Sequence, residues 1–176
     1  MNTRDLTKIG ICVAMLSVAA YISVPLPFTA VMLTALTLIL NLIAFIMTPR
    51  QAFITVLVYI LIGSVGVPVF IGGTAGFGRL FGPTGGFIWG FLIATPIISL
   101  CKGSTNSLRR YLFTSIFIGM PIIYLCGSIS MCLVQKLDIA STLLIAVIPF
   151  IPGDIFKCFI AAVLGVKLNT IFTYRH

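Results

Sequence analysis

Residues 141–168 read STLLIAVIPFIPGDIFKCFIAAVLGVKL, and this stretch decides the fold. It is apolar almost throughout, and it is long enough to cross a bilayer, whose hydrocarbon core takes roughly 20 apolar residues of helix. Pro149 and the Pro152-Gly153 pair divide it. Proline inside a helix removes a hydrogen bond and clashes with the preceding turn, yet it is welcome in a first turn. The stretch therefore reads as a short helix or re-entrant segment from Ser141 to Phe150, followed by a spanning helix from about 152 to 168. One long kinked helix from Ser141 to Leu168 is the alternative.

Two charges stand inside this run. Asp154 and Lys157 are three residues apart and so share one helical face. A charge at the centre of a bilayer costs about 2.5–3.5 kcal/mol on insertion scales, so such residues face a cavity or a partner. In the first turn after Pro152, Asp154 meets a helix dipole that favours an anion, and it is placed to pair with Lys157. The pair is also placed to line a ligand pocket. These two readings are compatible, because a capping carboxylate keeps free lone pairs.

The rest of the chain has the same texture. Its 176 residues are 60% hydrophobic and 8% charged, with a mean hydropathy of +1.21. A soluble domain carries about 25% charged residues. The composition excludes a soluble enzyme, a secreted disulfide scaffold and a disordered tail. It implies an all-α integral membrane protein of six transmembrane helices in a single membrane domain, 1–176. The spans fall at about 8–24, 29–48, 52–68, 87–101, 111–134 and 152–168, with the fifth interrupted at Pro121. The opening MNTRDLTKIG lacks a small-residue cleavage site and reads as the start of a retained first span. Six spans use nearly all the length, so any nucleotide chemistry belongs to a partner.

Charge sets the orientation. With the N-terminus and C-terminus both in the cytoplasm, Arg4, Lys8, Arg50, Lys102, Arg109, Arg110, Lys167 and Arg175 lie inside. Arg79, Lys136 and Lys157 lie outside. Loop lysines and arginines concentrate on the cytoplasmic side, so this N-in/C-in arrangement is the expected one. The outer set, with Asp154, is where ligand chemistry has room.

The outer loop from Ile71 to Gly86, IGGTAGFGRLFGPTGG, is dense in glycine. Its spacing fits neither GxGxxG nor GxxxxGK[ST], so it is no nucleotide loop. It reads as a tight turn or as a lid whose backbone packs on a small ligand, with Gly72 and Gly73 close to that ligand and Arg79 as its cation. Cys12, Cys101, Cys126, Cys132 and Cys158 form no CxxC or Cys/His cluster and read as packing residues. His176 is terminal, and no metal site or cofactor is expected. Asn41 reads as an interhelical hydrogen bonder and Trp89 as an interfacial or packing residue. Tyr21 and Tyr59 are potential donors in a pocket, or members of an aromatic belt. Gly10 and Ala14 form a small-xxx-small pair on the first helix, a surface on which another helix can pack closely.

Four runs in register resemble one family. They are VPLPFT (Val24–Thr29), GVPVF (Gly66–Phe70), GPTGG (Gly82–Gly86) and PFIPGD (Pro149–Asp154) with Lys157 following. Together they look like BioY, the biotin-specific substrate-binding subunit, or S component, of energy-coupling factor (ECF) transporters. The resemblance covers nearly the whole chain. It departs after Phe28, where two further prolines and a glutamine common in members are missing. It implies an ECF S-component-like bundle with a pocket near the outer face and no ATPase of its own. The implied partners are a transmembrane coupling subunit, which Gly10 and Ala14 would dock, and ATP-binding-cassette ATPases. The implied setting is the plasma membrane of a prokaryote.

Biotin would be the transported substrate. Its carboxylate asks for Arg or Lys, and its ureido group asks for an acceptor such as Asp with a donor beside it. Asp154 is then expected to accept a ureido N–H, with Lys157 ordering it or binding the ureido oxygen. Arg79 is expected to meet the carboxylate, though the two ends can be exchanged. Phe28, Phe70 and the glycine-rich loop would form apolar walls, with Tyr59 nearby. A self-sufficient secondary transporter or channel for a small carboxylate is the competing reading. It wants an ion relay at the midplane, for which the spans offer no evident Glu, Asp or His. An intramembrane enzyme is disfavoured, because no nucleophile–base or paired-carboxylate constellation is present.

Overall fold

The computed structural model describes residues 2–25, 31–104 and 106–173. Phe28, Arg175 and His176, all assigned a place from sequence, lie outside the described residues. Helix α1 is Thr3–Tyr21. At its start the Asn2 amide donates to the Asp5 carboxylate at 3.2 Å. Gln51 Nε2 donates to the same carboxylate at 2.9 Å, which ties α1 to the helix it packs against, α3 (Pro49–Ser64).

The second helix departs from its expected start near residue 29. Strand β1 (Ser23–Pro25) pairs antiparallel with strand β2 (Met32–Thr34), with Val24 opposite Leu33. Helix α2 begins only at Leu36 and ends at Ile46. The residue before a proline is pushed to extended backbone, which fits Val24 before Pro25 in β1, and β2 forms by pairing with it. Eleven residues of α2 rise only about 16 Å, about half the thickness of a bilayer's hydrocarbon core. Helix α3 starts earlier than expected, at Pro49, behind a reciprocal cap. Gln51 N–H donates to Thr48 Oγ1 at 3.4 Å, and Thr48 N–H donates to Gln51 Oε1 at 3.2 Å.

Helix α4 is Gly85–Cys101. It packs most extensively on α6 (Met120–Gln135). Gly86 makes that approach possible, because a Cβ there would collide with the Cys126 carbonyl. Helix α5 (Leu108–Thr114) runs through a π turn (Ser115–Gly119) straight into α6, giving one continuous apolar helix of 28 residues. The π turn lies just before Pro121. Its wider hydrogen-bonding step absorbs the N–H that proline lacks, so the interruption expected at Pro121 is a bulge rather than a break.

After Lys136, in left-handed conformation with φ 55°, comes the short helix α7 (Ile139–Ala146). Asp138 caps it, accepting the Ser141 N–H at 3.3 Å, and its bonds to Ser141 hold this carboxyl below its ordinary range. Val147 breaks the helix, and a single 3-10 turn (Ile148–Phe150) leads into α8 (Ile151–Thr173). The run 141–168 thus lies in one helical stretch kinked at Val147, with a short helix before the kink and a long one after it. Helix α8 extends past Leu168, because no proline or glycine stops it there.

At the end of the bundle away from the hairpin, the C-terminus of α2 is tied by side chains. Lys102 Nζ donates to the carbonyls of Ala44, Phe45 and Met47 at 2.8, 2.6 and 2.6 Å. Ser99 Oγ donates to Met47 O at 2.6 Å. Asn169 Nδ2 donates to Phe45 O at 3.0 Å and to Tyr111 Oη at 2.8 Å, and the Phe45 and Tyr111 rings stack with centroids 4.3 Å apart. These carbonyls have no partner within their own helix, and a cation is the favoured cap at a helix C-terminus. Lys102, assigned from sequence to topology alone, is thus a structural cap. Replacing it by methionine should lower stability by about 2–3 kcal/mol, the scale of a charged hydrogen bond lost in a partly buried site. Thermal unfolding in detergent reads this as a lowered midpoint; an unchanged midpoint would show the cap to be dispensable.

Candidate functional site

The site grows out of the start of α8. Pro152 and Gly153 set Asp154 in its first turn, facing the first turn of α2 and the second turn of α6. Asp154 is 5% exposed. Thr37 Oγ1 donates to its Oδ1 at 3.0 Å, Lys157 Nζ donates to the same oxygen at 2.9 Å, and Tyr124 Oη donates to Oδ2 at 2.7 Å. A carboxylate accepts about four hydrogen bonds, so one position remains, on Oδ2. Asp154 is therefore bound by side chains from three helices, and its ion pair with Lys157 is formed as expected. Asn41, one turn after Thr37, donates to Thr37 O at 2.7 Å and lies 3.6 Å from Cys158 Sγ on α8.

Asp154 and Lys157 line a cavity of about 810 Å³, counting its open mouth. Phe70, Phe87, Phe91 and Phe150 supply much of the apolar lining, and Arg79, Thr74 and Thr84 bring polar atoms from the loop side. Among the described residues no carboxylate pairs with the Arg79 guanidinium. The cavity thus presents a buried acceptor–cation pair, aromatic walls and a second cation with no counter-charge.

Of the residues expected at the site, Asp154, Lys157, Arg79 and Phe70 line the cavity. Gly72, Gly73 and Tyr59 do not, and each has a structural reason to be elsewhere. Gly72 and Gly73 both have φ of 69°, a left-handed conformation that costs glycine nothing. A Cβ on Gly73 would lie 3.0 Å from the Tyr21 ring. They shape the turn between the lining residues Ile71 and Thr74. Tyr59 is buried on α3, where Oη donates to Val69 O at 2.9 Å and its ring meets Phe70 edge-on at 5.7 Å. It buttresses Phe70. Tyr21 works similarly, with Oη donating to Pro68 O at 2.5 Å.

Thr37 and Tyr124 are the contributors that sequence reasoning missed. Tyr124 had a signal, since a phenol in the middle of an apolar helix needs a partner for its O–H. Thr37 had none, because its meeting with Asp154 spans 117 positions of chain.

A membrane-embedded helical bundle enclosing one polar-headed cavity is the architecture of a small-molecule-binding membrane subunit. The chain belongs to the BioY family, whose sequence pattern matches residues 1–174. It is 33% identical over 168 residues to a protein of Bacillus subtilis (strain 168) described as a probable biotin transporter BioY, covering 94% of this chain and 90% of that one. It is 31% identical over 175 residues to the biotin transporter BioY of Thermotoga maritima, covering 98% and 99%. The fold is that of a solved S-component for biotin from an ECF-type ABC transporter, with a TM-score of 0.89, 20% identity and coverage of 97% of this chain and 95% of that one. The membrane character and the S-component-like helical bundle expected from sequence are the observed ones.

A double-mutant cycle probes the ion pair. Lys157→Met leaves the Asp154 carboxylate buried without its counter-charge, and Asp154→Asn leaves the ammonium likewise. Each single change should cost on the order of 3 kcal/mol, and the double change should cost less than their sum. Additive losses in thermal unfolding would show that the two groups act independently.

Proposed function

We propose that this chain is the substrate-binding membrane subunit of a biotin uptake transporter in a prokaryotic plasma membrane, with both termini inside. The observation that carries the reading is the Asp154 carboxylate, held by three donors with one acceptor position left. A cyclic urea fits that position with an N–H, and its oxygen finds a donor in the Lys157 ammonium. The thioether ring and aliphatic chain of biotin suit the aromatic walls. Its carboxylate suits Arg79, which lacks an acidic partner among the described residues. Biotin is then cargo, and the chain carries no cofactor.

The energy for transport comes from elsewhere on this reading. No nucleotide loop is present in the sequence. Gly10 and Ala14 are both exposed on α1, and a Cβ added at Gly10 would meet nothing within 4 Å. That open small-residue face suits close packing by a helix of a coupling subunit, which would connect the chain to ATP-binding-cassette ATPases. Vesicles containing this chain alone should bind biotin and not accumulate it. ATP-dependent accumulation should appear on adding the coupling subunit and ATPases, and uptake by the chain alone would contradict the dependence.

Calorimetric titration with the purified protein separates the two ends of the ligand. Biotin should bind without ATP. Arg79→Gln should weaken biotin by about 10- to 100-fold, the equivalent of one charged hydrogen bond. The same change should barely affect biotin amide, which has no carboxylate. Equal losses for acid and amide would remove Arg79 from the carboxylate, and absence of biotin binding by the unaltered chain would overturn the function.

A further inference from the structure

The turn that carries Arg79 also carries an apolar pair on its opposite side. Residues Phe77–Phe81 form a 3-10 turn lodged between α3 and α4. Arg79 lines the cavity, while Leu80 is buried in the core. Phe77 and Phe81 are turned outward, 64% and 62% exposed, with ring centroids 5.2 Å apart. Neither ring serves the cavity, and neither is among its lining residues.

Their surroundings say what covers them. Leu61 on α3 and Ile93 on α4 are exposed apolar residues of the bundle's outer surface, 53% and 47% open. Val65 follows one turn after Leu61 and is 86% exposed, and the half-exposed Trp89 lies one turn before Ile93. The turn contacts both helices, through the Trp89–Leu80 and Gly76–Gly63 bonds among others, so Phe77 and Phe81 lie beside these exposed apolar residues, with Arg79 between the two rings in sequence. In a membrane protein such stripes face acyl chains, and aromatic rings at their ends sit at the headgroup boundary. A seat for a soluble protein would instead carry a polar rim.

We propose that Phe77 and Phe81 insert into the leaflet on the cavity side and make the Arg79 turn a lipid-anchored lid. The rest of the lid is tied to protein. Trp89 Nε1 donates to Leu80 O at 3.1 Å, Ser130 Oγ donates to Gly82 O at 3.0 Å, and Gly76 N–H donates to Gly63 O at 2.8 Å. The lipid anchor supplies the outward side of this suspension. The position of Arg79 over the cavity then depends on the bilayer as well as on the helices.

Depth-dependent quenching tests this directly. Phe77→Trp and Phe81→Trp, each made in a Trp89→Phe background, are placed in phosphatidylcholine bilayers. The lipids carry a nitroxide near the headgroup or near the chain end. The expected result is loss of about half the emission with the shallow nitroxide, little loss with the deep one, and protection from aqueous iodide, as for an apolar face seated at the acyl boundary. Acridonylalanine at position 77 in the otherwise native chain repeats the measurement with the Trp89–Leu80 bond intact, and the same pattern is expected. Quenching by iodide with no effect of either lipid, at both positions and with both probes, would overturn the proposal. It would leave the pair as a seat for a protein outside the membrane.

Discussion

A carboxylate below the membrane surface has to be satisfied on all sides, and Asp154 organises the bundle through that requirement. Leaving such a group unpaired is costly, and so is leaving its cation. Three donors answer it, and each comes from a different place. Lys157 is on the same helix, Thr37 opens α2, and Tyr124 stands in the second turn of α6. The three helices therefore meet at one point. That point is also the polar end of the cavity, so the constraint that joins the helices leaves the one acceptor position that a ligand can use.

The shortness of α2 follows from the same arrangement. Its first turn must present Thr37 to Asp154, and its last turn must reach Lys102 and Asn169. Eleven helical residues span that distance. Helix α2 packs along α8, which carries Asp154 near its start and Asn169 near its end, so both ends of α2 are referred to the same neighbour. The β hairpin before α2 and the strapped loop after α3 then roof the cavity. Tyr21 and Tyr59 hold consecutive loop residues, Pro68 and Val69, by their carbonyls.

Much of this was legible in the sequence, and what was not has identifiable causes. Hydropathy located most of the apolar helices, because apolar length is a property of a single segment. Asp154 and Lys157 stood out because a charge in an apolar run is rare, and their spacing alone put them on one face. The hairpin was hidden. Met32 and Leu33 are as apolar as a spanning helix, and their strand pairing depends on Val24 and Pro25, earlier in the chain. Gly72 and Gly73 were assigned to the ligand because glycine density signals close approach in general. The sequence does not say whether backbone or ligand is what approaches. Tyr59 was likewise read as a donor to ligand, while its O–H is taken by a carbonyl ten residues on. Thr37 became visible only when the fold brought α2 to α8.

The most direct test of the account is a structure of this chain with biotin bound. The expected result is a ureido nitrogen at hydrogen-bonding distance, about 2.7–3.2 Å, from Asp154 Oδ2, with the ureido oxygen on Lys157 Nζ and the valerate carboxylate towards Arg79. A valerate carboxylate seated on Lys157, with the ureido ring away from Asp154, would contradict it.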